Sequence, residues 1–258
     1  MSATLQPRVG FFTDTSICIG CKACEVACKE WNGVPDENRG FAATSYDNSD
    51  RLGANRWRHV AFIEQSHDGD GLRWLMSSDV CKHCTRAACL EVCPTGALFR
   101  TEFGTVVVQE DVCNGCGYCV PACPFGVIDQ RPDDGRVWKC TLCYDRLKVG
   151  QEPACSQACP TNSIQFGPLA ELRDRAARRL GALQDGGVTG ARLYGADPDD
   201  GVGGMGAFFL LLDEPEAYGL PPDPVVTTRD LPATWRAAGA AAAALVGVVA
   251  AAAFGGRR

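Results

Sequence analysis

Sixteen cysteines are the residues of this chain best suited to do chemistry, and they fall into four groups of four. The third group, Cys113-x2-Cys116-x2-Cys119-x3-Cys123 followed by Pro124, has the spacing of a [4Fe–4S]-binding run. Gaps of two residues let successive thiolates converge on one side of a tight loop, whereas the fourth cysteine lies one helical turn away and points to a different cluster. The other three groups have related spacings and are Cys18, Cys21, Cys24 and Cys28; Cys81, Cys84, Cys89 and Cys93; and Cys140, Cys143, Cys155 and Cys159. The pattern predicts one cluster for each group, arranged as pairs whose members exchange their fourth ligand.

Disulfide bonding and zinc binding are the alternative uses of so many cysteines. A chain of 258 residues with 46% hydrophobic composition can bury a sizeable core without covalent cross-links. Cysteines separated by two residues are poor disulfide partners for each other, although a single C-x2-C pair would suit zinc equally well. Complete groups of four, three of them ending in Cys-Pro, favour iron–sulfur clusters over a non-redox zinc or disulfide interaction protein.

The charge of the chain indicates which partners it is suited to. The net charge is −6 with the cysteines counted as neutral, and no group of lysines and arginines is typical of a nucleic-acid interface. A [4Fe–4S]2+ core with its thiolates carries about −2, so four clusters would add about −8. Some lysines near the ligands are candidates to offset that charge, with solvated surface residues as the alternative; they are Lys22, Lys29, Lys82, Lys139 and Lys148.

The remaining motifs do not indicate chemistry on an organic substrate. The stretch 201–206 fits G-x-G-x-x-G, but it precedes a predicted strand and opens no helix, so we interpret it as a loop. The histidines are His59, His67 and His83, too few to ligate two haems. His83 lies between two cysteines and is expected to be structural or exposed, with hydrogen bonding near a cluster as the alternative. No catalytic residue is predicted, and catalysis is expected on another polypeptide.

An internal repeat indicates how the cysteines are positioned. After three of the groups, Cys-Pro is followed by a turn and the start of an apolar strand, at 93–98, 123–128 and 159–164. With a strand predicted over 104–109 between them, the second and third groups form one two-cluster ferredoxin unit, residues 76–130. The first and fourth groups then form a second unit from 11–33 and 135–167. We therefore predict an α+β fold with tandem ferredoxin-like domains.

A segment inserted between the first two groups, residues 34–75, contains a predicted hairpin. Its strands cover 57–64 and 72–76 and are joined by turn residues at 66–71, whereas the upstream stretch 35–50 is polar and loop-like.

The segment after the last group, residues 168–232, contains a predicted helix, strand and arm. Apolar residues share one helical face over 168–183, where Pro168 is suited to begin the helix. A buried strand is predicted over 207–212, and the proline-rich arm that follows through Pro232 is expected to lie against another subunit.

The ends of the chain bear on its location. Residues 1–10 have neither an apolar segment nor a twin-arginine pair, so no secretory signal is expected. Within 233–258, twenty uncharged residues from 237 to 256 would span about 30 Å as a helix, which matches a bilayer core. Trp235 and Arg236 precede this run and Arg257 and Arg258 follow it, as interfacial anchors do. The sequence predicts a C-terminal transmembrane helix with a cytoplasmic end, and a soluble helix packed on a partner is the alternative.

Several motifs resemble the four-cluster iron–sulfur subunits of molybdopterin oxidoreductases. These motifs are Cys18–Cys24, Cys28–Asn32, Cys81–Cys84 and Gly115–Cys119. Within that group, the chain resembles the beta subunit of membrane-bound formate dehydrogenase from about residue 11 to its end. That closer resemblance depends on 139–146 and 149–155, on 201–204 and 219–221, and on the single C-terminal apolar helix.

The resemblance implies an electron-transfer subunit of an anaerobic respiratory complex at the bacterial cell membrane. Its partners would be a catalytic alpha subunit, which carries molybdopterin with molybdenum or tungsten, and a membrane cytochrome b gamma subunit that carries haem and reduces quinone. Such subunits are exported bound to an alpha subunit with a twin-arginine signal, which implies clusters on the periplasmic side. A complex whose catalytic half stays in the cytoplasm is the alternative. A dimethyl sulfoxide or polysulfide reductase subunit is the nearest functional alternative.

The resemblance also implies four ligand sets, which we number. Site 1 comprises Cys18, Cys21, Cys24 and Cys159; site 2 comprises Cys28, Cys140, Cys143 and Cys155; site 3 comprises Cys81, Cys84, Cys89 and Cys123; and site 4 comprises Cys93, Cys113, Cys116 and Cys119. Some related subunits replace one cysteine with tryptophan and hold a three-iron cluster. Because all sixteen cysteines are present here, four [4Fe–4S] clusters are expected.

Overall fold

The computed structural model describes residues 7–36, 40–41, 46–67 and 71–255. It divides into a unit Met1–Val226, which holds all the cysteines, and a second unit Thr227–Arg258. The described residues form both helices and strands, which confirms the predicted α+β class. The strands are β1 Val9–Asp14, β2 Arg58–His67, β3 Gly71–Val80, β4 Leu98–Arg100, β5 Val106–Val108, β6 Asp129–Gln130, β7 Val137–Trp138, β8 Ile164–Pro168, β9 Arg192–Tyr194 and β10 Ala207–Leu211. The helices are α1 Ala23–Asn32, α2 Ala88–Glu91, α3 Cys119–Ala122, α4 Tyr144–Lys148, α5 Ala154–Gln157, α6 Leu169–Asp185 and α7 Leu231–Gly255.

The largest sheet has the order β8-β1-β10-β9 and connects distant parts of the chain. Strand β1 pairs antiparallel with β8 and parallel with β10, and β9 pairs antiparallel with β10. Every residue of β10 is buried, in agreement with its continuous apolar sequence, because both faces of this strand are covered. Phe12 of β1 stacks on Phe208 of β10 with ring centroids 5.3 Å apart. The sheet thereby fixes the segment before the first cysteine group beside the segment after the last.

Helix α6 confirms the predicted helix after the last cysteine group. Pro168 precedes its first residue, and the apolar side chains Leu169, Leu172 and Ala176 are buried on one face. This spacing places them on the same side of a helix with 3.6 residues per turn. The helix packs against β1 and β8 and covers one face of the sheet.

The inserted segment forms the predicted hairpin, with longer strands than the sequence indicated. Strands β2 and β3 pair antiparallel from Arg58 opposite Val80 to His67 opposite Gly71. The predicted turn lies partly outside the described residues, at 68–70. In the upstream loop-like segment, residues 35–36, 40–41 and 46–50 form no helix or strand.

Short strands follow each Cys-Pro in the three expected places, as β4, β6 and β8. The second of them differs from the prediction because β6 starts at Asp129, after the buried Val127 and Ile128, and is itself exposed. The strand predicted between the second and third groups is β5, which pairs with β4. The glycine-rich stretch 201–206 forms turns before β10, in agreement with its interpretation as a loop.

The proline-rich arm packs in part on its own chain. Leu220 and Val226 are only 6% and 2% exposed, and both pack in the same apolar cluster as β10. Up to Val226, the arm therefore packs partly on the core of its own chain, and its contact with another subunit stays a prediction. The sequence did not indicate this packing, because two isolated apolar residues among prolines give no periodic pattern.

The second unit contains α7, a helix of 25 residues. Its stretch Leu231–Ala253 is long and apolar enough to cross a membrane, and its described side chains are exposed within this unit. This agrees with the predicted C-terminal apolar helix by length and composition.

Candidate iron–sulfur cluster sites

The four cysteine loops share one backbone feature. In each group, the residue two positions after the first cysteine has a positive φ: Gly20 at 65°, His83 at 44°, Gly115 at 72° and Leu142 at 59°. Glycine adopts this left-handed conformation freely, whereas a residue with a Cβ pays about 1–2 kcal/mol for it. The conformation turns each loop so that its thiols converge, and the sequence showed this requirement only where glycine was present.

The thiols of site 1 line one cavity, to which Cys18, Cys21 and Cys24 come from the first group and Cys159 comes from the last. Burial raises the pKa of Cys18, and the nearby thiols of Cys24, Cys159 and Cys21 raise it further. Pairing of β1 with β8 holds the two segments together, and the Asp14 N–H donates to the Ser163 carbonyl at 2.8 Å beyond the paired residues.

The thiols of site 2 are all buried. Cys28 projects from α1, which packs against α5, the helix that carries Cys155. Burial raises the pKa of Cys28 well above its usual value, and Cys140, Cys155 and Cys143 add to the shift. The Asn32 side-chain amide lies 3.7 Å from the sulfur of Cys28 and 3.8 Å from that of Cys143. The fourth cysteine of the first group is thus placed among three of the last group.

The thiols of site 3 line an enclosed apolar cavity together with His83. Burial raises the pKa of Cys84, and Cys81, Cys123 and Cys89 raise it further. The His83 Nδ1 accepts a hydrogen bond from the Val106 N–H at 3.1 Å, so its other ring nitrogen, Nε2, carries the proton. Burial and the nearby Lys139 lower the pKa of His83 well below its usual value, which keeps the ring neutral.

The thiols of site 4 line a further cavity near the surface. Burial raises the pKa of Cys119 to about 12, and Cys93, Cys116 and Cys113 contribute to the shift. Cys116 is exposed, as Cys21 of site 1 is, whereas every other cysteine is at least partly buried. The loop depends on Gly115, since a Cβ at this position would lie 2.3 Å from the Gly135 carbonyl oxygen.

The structure therefore brings the sixteen thiols together in the same four sets that the resemblance implied. In each pair of sites, the fourth cysteine of one group lies with three cysteines of the other. All sixteen cysteines are free, so the described chain contains no disulfide. Separation of the thiols into four-membered sets also distinguishes this arrangement from a disulfide framework.

Buried polar atoms test whether the sites fit iron–sulfur clusters. Within the described residues, the Nε and Nη2 atoms of Arg58 and the Nε2 atom of His83 are buried and have no nitrogen or oxygen hydrogen-bond partner. Such donors are costly unless an acceptor is present. Both side chains lie among the cysteine thiols, where cluster sulfurs would accept their hydrogen bonds. The chain thus fits the group in its thiol ligands and in the donors around them.

The predicted compensating lysines fall into two classes. Lys82 and Lys139 are fully buried among the thiols, whereas Lys148 is exposed and Lys22 and Lys29 are half-buried in ion pairs with carboxylates. Lys82 also has a carboxylate partner, Asp79. His83 is buried rather than exposed, and its unpartnered Nε2 and its place in the site 3 cavity favour the alternative of hydrogen bonding near a cluster.

Arg58 was not identified from the sequence as a functional residue. It is 2% exposed at the start of β2 and lies beside the thiols of Cys155, Cys24, Cys140 and Cys28. Burial alone would lower its pKa, but these groups outweigh burial and raise it. The one sequence signal was its position in the predicted strand 57–64, two residues before the apolar Val60, because alternate residues of a strand share one face.

Comparison with known proteins places these sites in a family. Two family models described as "4Fe-4S dicluster domain" match residues 72–169 and 17–97. The formate dehydrogenase iron–sulfur subunit of Haemophilus influenzae is 45% identical over 217 residues, which are 83% of this chain and 68% of the relative. The iron–sulfur subunit of the nitrate-inducible formate dehydrogenase of Escherichia coli is 43% identical over 227 residues, 86% of this chain and 76% of the relative. A subunit of an anaerobic dimethyl sulfoxide reductase of Escherichia coli is 40% identical over 172 residues, 66% of this chain and 78% of the relative. The chain therefore belongs to the family of formate dehydrogenase iron–sulfur subunits and is an electron-transfer protein with [4Fe–4S] clusters.

Proposed function

We propose that this chain transfers electrons within a formate dehydrogenase complex, from a molybdopterin-containing catalytic subunit to a membrane cytochrome b subunit and quinone. Sites 1 to 4 each hold one [4Fe–4S] cluster in this proposal, and the chain itself supplies no catalytic residue. A [4Fe–4S] cluster accepts and releases one electron at a time, which suits a relay between a two-electron reaction and haem.

The contiguity of the four sites is the observation that carries this proposal. Cys155 of site 2 lies close enough to Cys24 of site 1 to raise its pKa, in addition to the effect of burial. In the same way Cys81 of site 3 raises the pKa of Cys140 of site 2, and Cys119 of site 4 raises the pKa of Cys89 of site 3. The sites thus form a series from 1 to 4. The exposed Cys21 and Cys116 lie in the two terminal sites, where partners would exchange electrons with the chain.

The protein residues around the sites hold the thiols in place for iron and keep water away from them. The buried thiols must lose their protons on binding iron, so the raised pKa values make ligation a coupled proton release. Left-handed loop residues such as Leu142 fix the thiols before binding. The interior sites 2 and 3 exclude water most completely, because none of their cysteines is exposed.

We further propose that α7 anchors the chain in the bilayer by a single span. The candidate span Leu231–Ala253 has 23 residues, with Arg236 near one end, and would extend about 35 Å at 1.5 Å per residue, which is sufficient to cross the hydrocarbon core. The following arginines favour a cytoplasmic C-terminus and therefore clusters on the periplasmic side. Deletion of residues 231–258 should move the chain from carbonate-washed membranes to the soluble fraction. Retention of the shortened chain on washed membranes would instead indicate anchoring through a partner.

The substrate is tested on the complex that the chain forms. The complex should be purified without oxygen together with its catalytic partner and then mixed with formate or with dimethyl sulfoxide. We expect formate to reduce an artificial dye and to bleach the visible iron–sulfur absorption of this chain. Oxidation of the reduced complex by dimethyl sulfoxide or polysulfide, without formate activity, would assign the chain to the reductase alternative. The extent of similarity favours formate, because formate dehydrogenase relatives match 83–86% of this chain and the reductase relative matches 66%.

A further inference from the structure

The environment of Arg58 is unusual for a cation. Its Nη1 atom donates to the Ser78 carbonyl oxygen at 3.2 Å and to the Ser78 hydroxyl at 3.0 Å. Its guanidinium carbon lies 5.0 Å from the centre of the Phe11 ring. The Nε and Nη2 atoms are buried without a nitrogen or oxygen partner, and the acceptor that the guanidinium approaches is the Cys155 sulfur of site 2. The side chain is therefore held in a defined position while two of its nitrogens remain available to a neighbouring acceptor.

No carboxylate in the described part of the chain pairs with Arg58. An arginine remains protonated in a protein, and a buried cation without a counter-charge is strongly unfavourable. The groups around it that become anionic as cluster ligands are Cys24 of site 1 and Cys28, Cys140 and Cys155 of site 2. Its counter-charge therefore comes from two neighbouring sites at once.

Lys139 has the equivalent position at the next junction. It is 2% exposed, and its Nζ donates to the Val106 carbonyl oxygen and to the Cys140 carbonyl oxygen, the latter at 3.0 Å. The neighbours that become anionic as cluster ligands are Cys140 of site 2 and Cys81 and Cys89 of site 3. The described residues again include no carboxylate partner for it, in contrast to Lys82, which is paired with Asp79.

We propose that Arg58 and Lys139 are shared counter-charges, Arg58 between sites 1 and 2 and Lys139 between sites 2 and 3. Reduction adds one negative charge to a cluster, and a fixed cation nearby favours that change. Each residue therefore raises the reduction potentials of the two clusters beside it, which offsets part of the lowering that their mutual repulsion causes. They act as positioning residues for charge rather than as ligands. This inference rests on the ligand sets of the proposed function.

The test is a potentiometric titration of the full complex, followed by electron paramagnetic resonance. Arg58→Met should shift the potentials of the clusters at sites 1 and 2 to more negative values and leave site 4 unchanged. Lys139→Met should shift those of sites 2 and 3. Signals are assigned with Cys21→Ser for site 1 and Cys116→Ser for site 4, and the signal that both cation variants shift belongs to site 2.

Two controls separate charge from packing. Arg58→Lys keeps the cation and should shift the potentials much less than Arg58→Met does. Lys148→Met removes an exposed charge and should shift none, because solvent and salt screen it.

An Arg58→Met variant without any shift, or with the same shift at all four sites, would overturn the proposal. If the complex with Arg58→Met does not assemble, Lys139→Met alone tests the proposal. A potential shift in Lys139→Met that is confined to one site or spread over all four would reject the proposal. Wild-type complex that binds about sixteen irons but is not reduced by formate would contradict the proposed function without affecting this inference.

Discussion

The hydroxyl of Ser78 connects Arg58 to a cluster ligand and provides a quantitative prediction. The Ser78 Oγ lies 3.0 Å from Arg58 Nη1 and 3.2 Å from the sulfur of Cys24. A guanidinium can only donate, so the hydroxyl accepts from Arg58 and its own proton is directed to the Cys24 sulfur. Ser78→Ala removes this hydrogen bond at site 1 and keeps the Arg58 contact with the Ser78 carbonyl.

The expected shift follows from the strength of that bond. A hydrogen bond to a charged group contributes about 1.5–3 kcal/mol, and we take about 1 kcal/mol as the part gained on reduction of the cluster. For one electron, 59 mV corresponds to about 1.4 kcal/mol, so the site 1 potential should fall by about 40 mV. The two bonds place Arg58 Nη1 within about 6 Å of the Cys24 sulfur, where a full charge would contribute about 3 kcal/mol at an effective dielectric constant near 20, or about 120 mV. The shift of the site 1 potential caused by loss of the hydroxyl is therefore distinguishable in size from the shift caused by loss of the cation.

The assay is the same anaerobic titration with electron paramagnetic detection. Ser77→Ala is the matched control, because Ser77 is also buried but its side chain points to the opposite face of β3. We expect a shift at site 1 in Ser78→Ala, no measurable shift at site 2, and no shift at either site in Ser77→Ala. Equal shifts at sites 1 and 2, or none at site 1, would refute the hydrogen-bond argument.

Three further predictions concern the sites themselves. Gly115→Ala should abolish the site 4 signal and lower the iron content by about four, because φ is 72° and the new Cβ would lie 2.3 Å from a backbone carbonyl oxygen. Gly117→Ala, with a similar φ of 74° but its nearest neighbouring atom 3.6 Å away, should retain the cluster; equal losses would disprove the steric cause. Cys159→Ser should remove the same cluster signal as Cys18→Ser, whereas Cys155→Ser should remove a different one, as measured by electron paramagnetic resonance and iron analysis. If Cys155→Ser and Cys159→Ser lose the same signal, the ligands are not exchanged. Because burial raises the pKa of most of these thiols above the usual 9.0, they are protonated at neutral pH in the cluster-free chain, so the yield of anaerobic reconstitution should rise as pH increases from about 7 to about 9. A yield that falls over this range, with the chain still folded by circular dichroism, would contradict proton release on binding.

Local patterns predicted the elements that the structure confirms. The helix α6 follows from apolar residues at helical spacing after Pro168, and β10 follows from an unbroken apolar run. The hairpin of β2 and β3 follows from two apolar segments around polar turn residues. In each case the signal lies within a few residues of the element it describes, so propensity and periodicity were sufficient.

Long-range arrangement could not be read from such patterns. Nothing near Phe12 indicates that β1 pairs parallel with β10, where its partner Phe208 lies 196 residues further along the chain. The burial of Leu220 and Val226 also depends on a surface formed by distant segments. Arg58 illustrates the same limit, because its importance comes from two sites that only the folded chain brings to it.

The chemistry of this protein follows from its amino-acid sequence without further information. Thiolate type and the two-residue spacing specify an iron–sulfur ligand loop locally, within one turn of chain. The order of the sites, the exposure of the terminal ones and the cations placed between neighbours are set only when the chain folds. These features depend on packing between segments far apart in sequence, such as β1 with β8 and β10, and that packing reflects the burial of the whole core rather than any single motif.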